Sequence, residues 1–236
     1  GRLILDAKGK PLLFAGFIAN LGKKSKVDPL TGLFNKFEFE DDVRRRIETE
    51  PDGAISLMML GIDDLRHIND RYDRAFGDEV IRFVAQRIQS SLPEDARVYR
   101  LDGDEFAVLV NDDIDVLRGA YAQLGGMFQR QHDHKGRKFY CTLSGGIAQY
   151  PGDAQTYESL VKYANYALEH AKGHGKKRCV NFSQPILSER TRELELMELL
   201  RDSVENNFKG FSLCYQPQVE AATGRVVGAE ALARWR

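Results

Sequence analysis

The chain has 236 residues, of which 42% are hydrophobic, so it can bury one full domain with smaller pieces, or two small domains. Its formal net charge of −1 gives no electrostatic reason to expect nucleic acid or a membrane surface as a partner. Three widely separated cysteines lack metal-ligand spacing and predict reduced thiols in a cytoplasmic protein, and no apolar run approaches the roughly 20 residues that span a bilayer.

Two short apolar runs, residues 2–6 and 11–18, open the sequence, and a turn rich in lysine and glycine at residues 7–10 separates them. This pattern predicts a β-hairpin. Residues 9–20 resemble the last strands of a PAS sensor domain, and the resemblance assigns residues 1–22 to the end of such a domain. A generic hairpin fits the same pattern.

Regular alternation of helices and strands is predicted from residue 28 onwards. Apolar residues at helical spacing predict helices over residues 35–48, 77–90, 114–130 and 157–172. Strands are predicted over residues 54–62, 96–101, 106–110, 137–149 and 178–182. Because residues 54–62 are almost entirely apolar, we expect them to form a central strand that is buried on both faces.

Local features of this region add three expectations. Asn35 is placed to cap the first helix. Gly145 and Gly146, inside a predicted strand, indicate a bulge or a close approach by another part of the backbone. His132 and His134 lie on a connection without a pattern of acidic partners, so we expect them to be solvated rather than to bind a metal.

Two motifs carry the strongest functional signal. Residues 100–106 read Arg-Leu-Asp-Gly-Asp-Glu-Phe, and residues 60–70 read Leu-Gly-Ile-Asp-Asp-Leu-Arg-His-Ile-Asn-Asp. They resemble the signature hairpin and the second site segment of the GGDEF family, the enzymes that condense two GTP into cyclic di-GMP. For residues 28–182 the resemblance implies an α+β fold with a ferredoxin-like, nucleotidyl-cyclase core. Its elements would run βααββαβ, with a mainly antiparallel central sheet flanked by helices.

The resemblance also implies a site for GTP with Mg²⁺ or Mn²⁺. It gives catalysis to Asp104 and Glu105, and metal ligation to Asp104 and the backbone of Ile62. Guanine would be read by Asn69 and Asp78. The other nucleotide-binding positions are the hairpin glycine and three basic residues: Gly103, Arg66, Lys172 and Lys176. Without the resemblance, the two guanine-reading positions are equally typical of helix caps or turns, and the lysines of basic residues at a helix C-terminus.

Two departures from the family pattern bear on the chemistry. Gly61 stands where the family has a metal-binding aspartate, and Asp102 replaces the first glycine of the signature. Mg²⁺ prefers a near-octahedral set of oxygen ligands. Asp63 is the candidate replacement ligand, but it lies about 6.6 Å further along the strand. Asp102 is expected to preserve the turn, since aspartate tolerates positive φ, while placing a negative charge near a polyphosphate.

The last part of the sequence predicts a linker helix within residues 183–210 and two strands within residues 211–236. The apolar residues of the helix share one stripe: Leu194, Met197, Leu200 and Val204. Residues 211–236 resemble the truncated start of an EAL phosphodiesterase domain. The resemblance implies that Glu230 is a metal ligand and that Gln216 and Arg234 contact the dinucleotide, although the other ligands of such a domain lie outside this sequence.

Three functions remain open at this point. The favoured one is a cyclic di-GMP signalling module in which a degenerate GGDEF domain, without cyclase activity, binds GTP and regulates an adjoining EAL domain. The alternatives are an active diguanylate cyclase in which Asp63 helps to hold the metal, and an interaction or dimerisation module without a nucleotide. The expected partners are GTP, the remainder of the PAS and EAL domains and a second copy of the chain in a homodimer; no contact with nucleic acid or membrane is expected.

Overall fold

The computed structural model describes residues 2–5, 11–15, 25–111 and 113–235. The chain divides into two compact units, Gly1–Phe182 and Ser183–Arg236. At the start of the first unit, strands β1 (Arg2–Leu5) and β2 (Pro11–Ala15) pair antiparallel, as the sequence predicts for a hairpin. The predicted turn at residues 7–10 lies outside the described residues.

The rest of the first unit is built around a six-stranded sheet. Its elements follow in chain order: β3 (Phe34–Asn35), α1 (Lys36–Thr49), β4 (Ile55–Asp63), α2 (Leu65–Arg71), α3 (Arg74–Ser90), β5 (Arg97–Asp102), β6 (Glu105–Asn111), α4 (Ile114–Phe128), β7 (His132–His134), β8 (Arg137–Phe139), β9 (Thr142–Tyr150), α5 (Tyr157–Gly173) and β10 (Cys179–Asn181). The strand order in the sheet is β10-β9-β4-β6-β5-β3. The four inner strands pair antiparallel, and the edge strands β10 and β3 pair parallel. From β4 to β9 the main elements run βααββαβ, so the predicted α+β core is confirmed.

The local sequence explains where these elements begin and how they pack. Asn35 caps α1 as predicted, because its side chain accepts hydrogen bonds from the backbone N–H groups of Phe37 and Glu38. Every residue of β4 is buried, as expected for a central strand. Helix α3 begins earlier than predicted, at Arg74, because the side chain of Asp73 accepts a hydrogen bond from the N–H of Phe76 and so caps the helix.

A close approach of α5 to the sheet explains Gly146, the second of the two glycines in β9. A Cβ atom on Gly146 would lie 2.1 Å from the backbone nitrogen of Leu168 and 2.3 Å from the carbonyl oxygen of Ala164. These atoms belong to the backbone of α5 and cannot swing aside. Glycine at this position therefore lets α5 lie directly against the sheet, which confirms the predicted close approach.

The connection between α4 and β9 differs from the prediction. The single strand expected over residues 137–149 is broken, and β8 instead pairs with β7 in a separate hairpin. The expectation that the two histidines are solvated is therefore wrong. The ring of His132 lies 5.0 to 5.5 Å from those of Phe83, Phe128 and Phe139, and His134 pairs with Glu79 of α3.

The second unit contains helix α6 (Gln184–Glu205) and a hairpin of β11 (Phe211–Val219) and β12 (Val226–Trp235). The hairpin turns at Gly224, whose φ of +69° suits glycine. The predicted apolar stripe of α6 is exposed: Leu194, Met197, Leu200 and Val204. Among the described residues, no helix combines the length and the apolar character needed to cross a bilayer.

Candidate functional site

A cleft of about 590 Å³ lies in the first unit, where the end of β4, helices α2 and α3, the β5–β6 hairpin and the last turn of α5 meet. Five basic and four acidic side chains line it. All the residues predicted to bind nucleotide are on its wall: Arg66, Asn69, Asp78, Gly103, Lys172 and Lys176. Of the predicted catalytic and metal-binding residues, Ile62, Asp63 and Asp104 also line it. Glu105 does not, although it lies opposite Gly61 in the sheet.

One end of the cleft contains an unpaired acceptor. The side-chain oxygen Oδ1 of Asn69 is buried and has no hydrogen-bond partner among the described residues. A Cβ atom on Gly77 would lie 1.8 Å from this oxygen, so only glycine leaves room for the amide where it stands. Asp78, the next residue of α3, is exposed at the same end. Because a buried polar atom without a partner is costly, this arrangement suits a ligand that donates a hydrogen bond.

The β5–β6 hairpin is held by Arg100. Its guanidinium pairs with Asp28 at 3.1 Å and donates a hydrogen bond of 2.8 Å to the carbonyl oxygen of Gly103. Gly103 has a φ of +48°, whereas Asp102 is not among the described residues with positive φ. The Asp102 carboxylate accepts a hydrogen bond from the N–H of Gly103. The turn therefore survives the substitution for a different reason than predicted, because Asp102 stabilises it by this hydrogen bond.

The position of Gly61 is partly occupied by a lysine side chain. A Cβ atom on Gly61 would lie 2.9 Å from both Cε and Nζ of Lys172, and 3.9 Å from Oδ2 of Asp104. Asp104 is fixed to β4 by a 3.2 Å hydrogen bond from the N–H of Ile62 to its carbonyl oxygen. The ammonium group of Lys172 therefore lies beside the position from which the family's metal-binding carboxylate would extend.

The side chain of Asp63 is occupied by hydrogen bonds within the protein. Only 5% of its surface is exposed, and its two carboxylate oxygens accept hydrogen bonds of 2.7 Å from the hydroxyl groups of Thr142 and Ser144. A third hydrogen bond, of 3.3 Å, comes from the backbone N–H of Lys177. The geometry thus gives Asp63 a role in fixing β4 to β9 and the loop after α5. It does not favour the replacement of the missing ligand.

The residues present do not fit a resident Mg²⁺ or Mn²⁺. At the predicted metal position they leave one carboxylate, that of Asp104, and the backbone of Ile62, beside the positively charged Lys172. Hard divalent cations need about six oxygen ligands, and Mg²⁺ tolerates little departure from octahedral geometry. Without a nucleotide this donor set is too small for such an ion, and the Lys172 ammonium offsets the charge of the one carboxylate that phosphate oxygens would have to supplement.

Two carboxyl groups in this region, those of Glu105 and Asp64, have shifted pKa values. Burial raises the pKa of Glu105, and the charges of Asp104, Glu169 and Asp102 add to this effect, whereas Lys172 opposes it. A hydrogen bond of 2.6 Å from Lys176 lowers the pKa of Asp64. The sequence predicted Lys176 as a phosphate-binding residue, but its pairing with Asp64 is not visible in the sequence.

The residues that resemble an EAL site lie in the second unit. Gln216 and Glu230 are directly opposite each other in the β11–β12 hairpin. Arg234 donates a hydrogen bond to the carbonyl oxygen of Ala233. All three predicted residues are exposed.

Comparison with known proteins identifies related sequences. The family model for the diguanylate cyclase GGDEF domain matches residues 25–178. The chain is 32% identical over 223 residues to cyclic di-GMP phosphodiesterase NbdA and 30% identical over 211 residues to bifunctional diguanylate cyclase/cyclic di-GMP phosphodiesterase MucR, both from Pseudomonas aeruginosa. These alignments cover 92% and 88% of this chain but only 28% and 30% of those proteins. The chain thus spans less than a third of the length of these relatives.

Solved structures show the same fold. A shortened form of TpbB (YfiN) from Pseudomonas aeruginosa, comprising only the GGDEF domain, superposes with a TM-score of 0.65 at 30% identity. That match covers 70% of this chain and 99% of the other. The GGDEF domain of DgcB from Caulobacter crescentus, in complex with c-di-GMP, superposes with a TM-score of 0.61 at 26% identity. That match covers 67% of this chain and 96% of the DgcB domain.

Proposed function

Because the chain belongs to the diguanylate cyclase family of GGDEF domains, we propose that residues 28–182 are a cyclic di-GMP signalling domain that binds GTP but does not condense it. We propose further that this domain regulates an EAL phosphodiesterase domain that begins at about residue 211, and that residues 1–22 end a PAS-like sensor domain. In this arrangement the helix α6 connects the nucleotide site to the phosphodiesterase.

The unpaired oxygen of Asn69 is the observation that carries the GTP-binding part of the proposal. Guanine presents hydrogen-bond donors at N1 and N2, and the Asn69 oxygen and the Asp78 carboxylate are acceptors at one end of the cleft. Adenine lacks the same pair of donors. Basic side chains that line the same cleft, among them Lys172 and Lys176, suit the phosphates.

The substitution at Gly61 supports the proposed absence of cyclase activity. Condensation requires a 3′-hydroxyl to attack an α-phosphate while pyrophosphate leaves, and metal ions normally activate the nucleophile and neutralise the developing charge. The donor set around Asp104 does not hold such an ion. Positioning by the remaining residues can bind the substrate but leaves the hydroxyl without an activating group.

Calorimetric titration of the chain with GTP and with ATP tests the binding, and chromatographic assay for cyclic di-GMP tests the chemistry. We expect GTP to bind in preference to ATP and no cyclic di-GMP to form with Mg²⁺ or Mn²⁺. The double variant Gly61→Asp, Asp102→Gly restores the family residues and serves as the matched comparison. Product from the unchanged chain would show that the domain is an active cyclase.

Regulation is tested on the longer protein that contains the complete EAL domain. We expect GTP to change the rate of cyclic di-GMP hydrolysis, and the Asn69→Ala variant to lose this response while it keeps the basal rate. A hydrolysis rate that is indifferent to GTP in the unchanged protein would refute the regulatory part of the proposal. It would leave GTP binding itself as a separate result.

A further inference from the structure

We infer that this site binds GTP without a divalent cation, with the ammonium group of Lys172 in the place that a metal ion and its carboxylate ligand would share. The inference rests on the proposed function, since it concerns how the same site holds its nucleotide. It is based on the short distance between the Lys172 side chain and the Cβ position of Gly61, and on the hydrogen bonds that the neighbouring carboxylates already form within the protein.

The fold places Lys172 over Gly61. Gly61 lies near the end of β4, an inner strand of the sheet, and is opposite Glu105 of β6 and Ser144 of β9. Helix α5 lies directly against β9 at Gly146, so the last turn of α5 is brought to the end of β4. As a result, Nζ of Lys172 is 2.9 Å from the Cβ position of Gly61. An aspartate at position 61 and Lys172 in its present conformation would compete for the same space.

The charge of Lys172 is available to a ligand. Lys176 forms an ion pair with Asp64 at 2.6 Å, whereas Lys172 forms no ion pair within 4 Å in the part of the chain that the structure describes. A lysine ammonium is a compact point charge with three donors, and it can contact phosphate oxygens directly.

A divalent cation would meet unfavourable electrostatics in the same place. It would approach the Lys172 ammonium, and Asp104 would be its carboxylate ligand, since both oxygens of Asp63 already accept hydrogen bonds. A triphosphate needs positive charge at this point, and the protein supplies it from its own side chain. Divalent cations in solution should therefore not be required for GTP binding and should not strengthen it.

Fluorescence titration with a methylanthraniloyl derivative of GTP tests the inference on the 236-residue chain, in MgCl₂ and in EDTA. We expect binding in EDTA to be at least as tight as in MgCl₂, and Lys172→Met to weaken binding about tenfold or more in EDTA. Lys162→Met is the control, because it removes an exposed lysine of the same helix away from the cleft. Lys172→Arg keeps the charge and should retain binding in EDTA.

Gly61→Asp provides the converse test. The atoms that a new side chain would meet are the flexible end of Lys172, so the variant should fold, and folding is checked by its melting temperature. We expect its affinity to become dependent on Mg²⁺, with a change of about tenfold between MgCl₂ and EDTA. Binding by the unchanged chain in MgCl₂ but not in EDTA would overturn the inference and leave GTP binding intact. No binding in either buffer would overturn both.

Discussion

Substitution of Gly77 by alanine should separate nucleotide binding from stability. The new Cβ atom would lie 1.8 Å from Oδ1 of Asn69, so the amide must rotate out of its present position. The atoms that yield are the end of a short side chain, while the core beneath α3 is untouched. Alanine is also the better helix former, by up to about 1 kcal/mol. The variant should therefore fold with a free energy of unfolding close to that of the unchanged chain.

The substitution of Gly77 should instead weaken the binding of GTP. A hydrogen bond between uncharged groups contributes roughly 0.5–1.5 kcal/mol, so loss of one or two such bonds to guanine predicts GTP binding weakened about tenfold. Calorimetric titration with GTP measures this change, and urea denaturation measures stability. ATP should bind the variant and the unchanged chain with the same low affinity, because adenine does not use the lost contact.

A double-mutant cycle with Asn69→Ala identifies the mechanism. If Gly77→Ala acts only by displacing the amide, it should have no further effect on affinity once Asn69 is alanine. Unchanged GTP affinity of Gly77→Ala would refute the assignment of Asn69 to the base. An additional loss in the double variant would show that the new methyl group blocks the ligand directly.

Three further predictions concern stability. Asp63→Ala leaves the buried hydroxyl of Ser144 without its acceptor, so it should lower the free energy of unfolding by about 3 kcal/mol in urea titration; a loss below about 1 kcal/mol would contradict the role given to this carboxylate. Gly146→Ala should lower the free energy of unfolding by roughly 2 kcal/mol, because the new methyl group pushes α5 away from the sheet. In Gly119→Ala the methyl group meets no atom within 4 Å, so this free energy should stay the same or rise by up to about 1 kcal/mol. Burial lowers the pKa of His132, so the folded state binds fewer protons than the unfolded state, and stability should fall as the pH drops below the ordinary histidine value of 6.5. His132→Phe should remove this dependence between about pH 7.5 and 5.5, and an unchanged pH profile would exclude the residue as its source.

The sequence predicts elements whose signal is local. The continuous apolar run of β4 predicts a strand buried on both faces, and Asn35 marks the beginning of α1 through its own side-chain hydrogen bonds. The β7–β8 hairpin was missed because polar residues dominate it and its strands are only three residues long. One local signal was present in the sequence, since Gly136 is a residue type that hairpin turns favour, and it adopts a positive φ in the structure.

The properties of the candidate site that matter most are not local. The pair between Asp64 and Lys176 joins residues that are 112 positions apart. The contact between Lys172 and Gly61 depends on how closely α5 can approach β9, which the glycine in β9 permits but does not specify. Sequence motifs therefore locate the residues of the cleft, while packing decides which charges are paired and which remain available to a ligand.

In the function that we propose, GTP binding persists without catalysis because the guanine-reading candidates and the predicted metal position lie on different elements. The guanine-reading candidates Asn69 and Asp78 are carried by α2 and α3, and their positions depend on helix packing and on Gly77. The predicted metal position is carried by β4 and the hairpin. A change at Gly61 alters the predicted metal position without disturbing the guanine-reading candidates. A domain that holds GTP but does not consume it can then report the GTP concentration by reversible occupancy, because the bound state is not depleted by turnover.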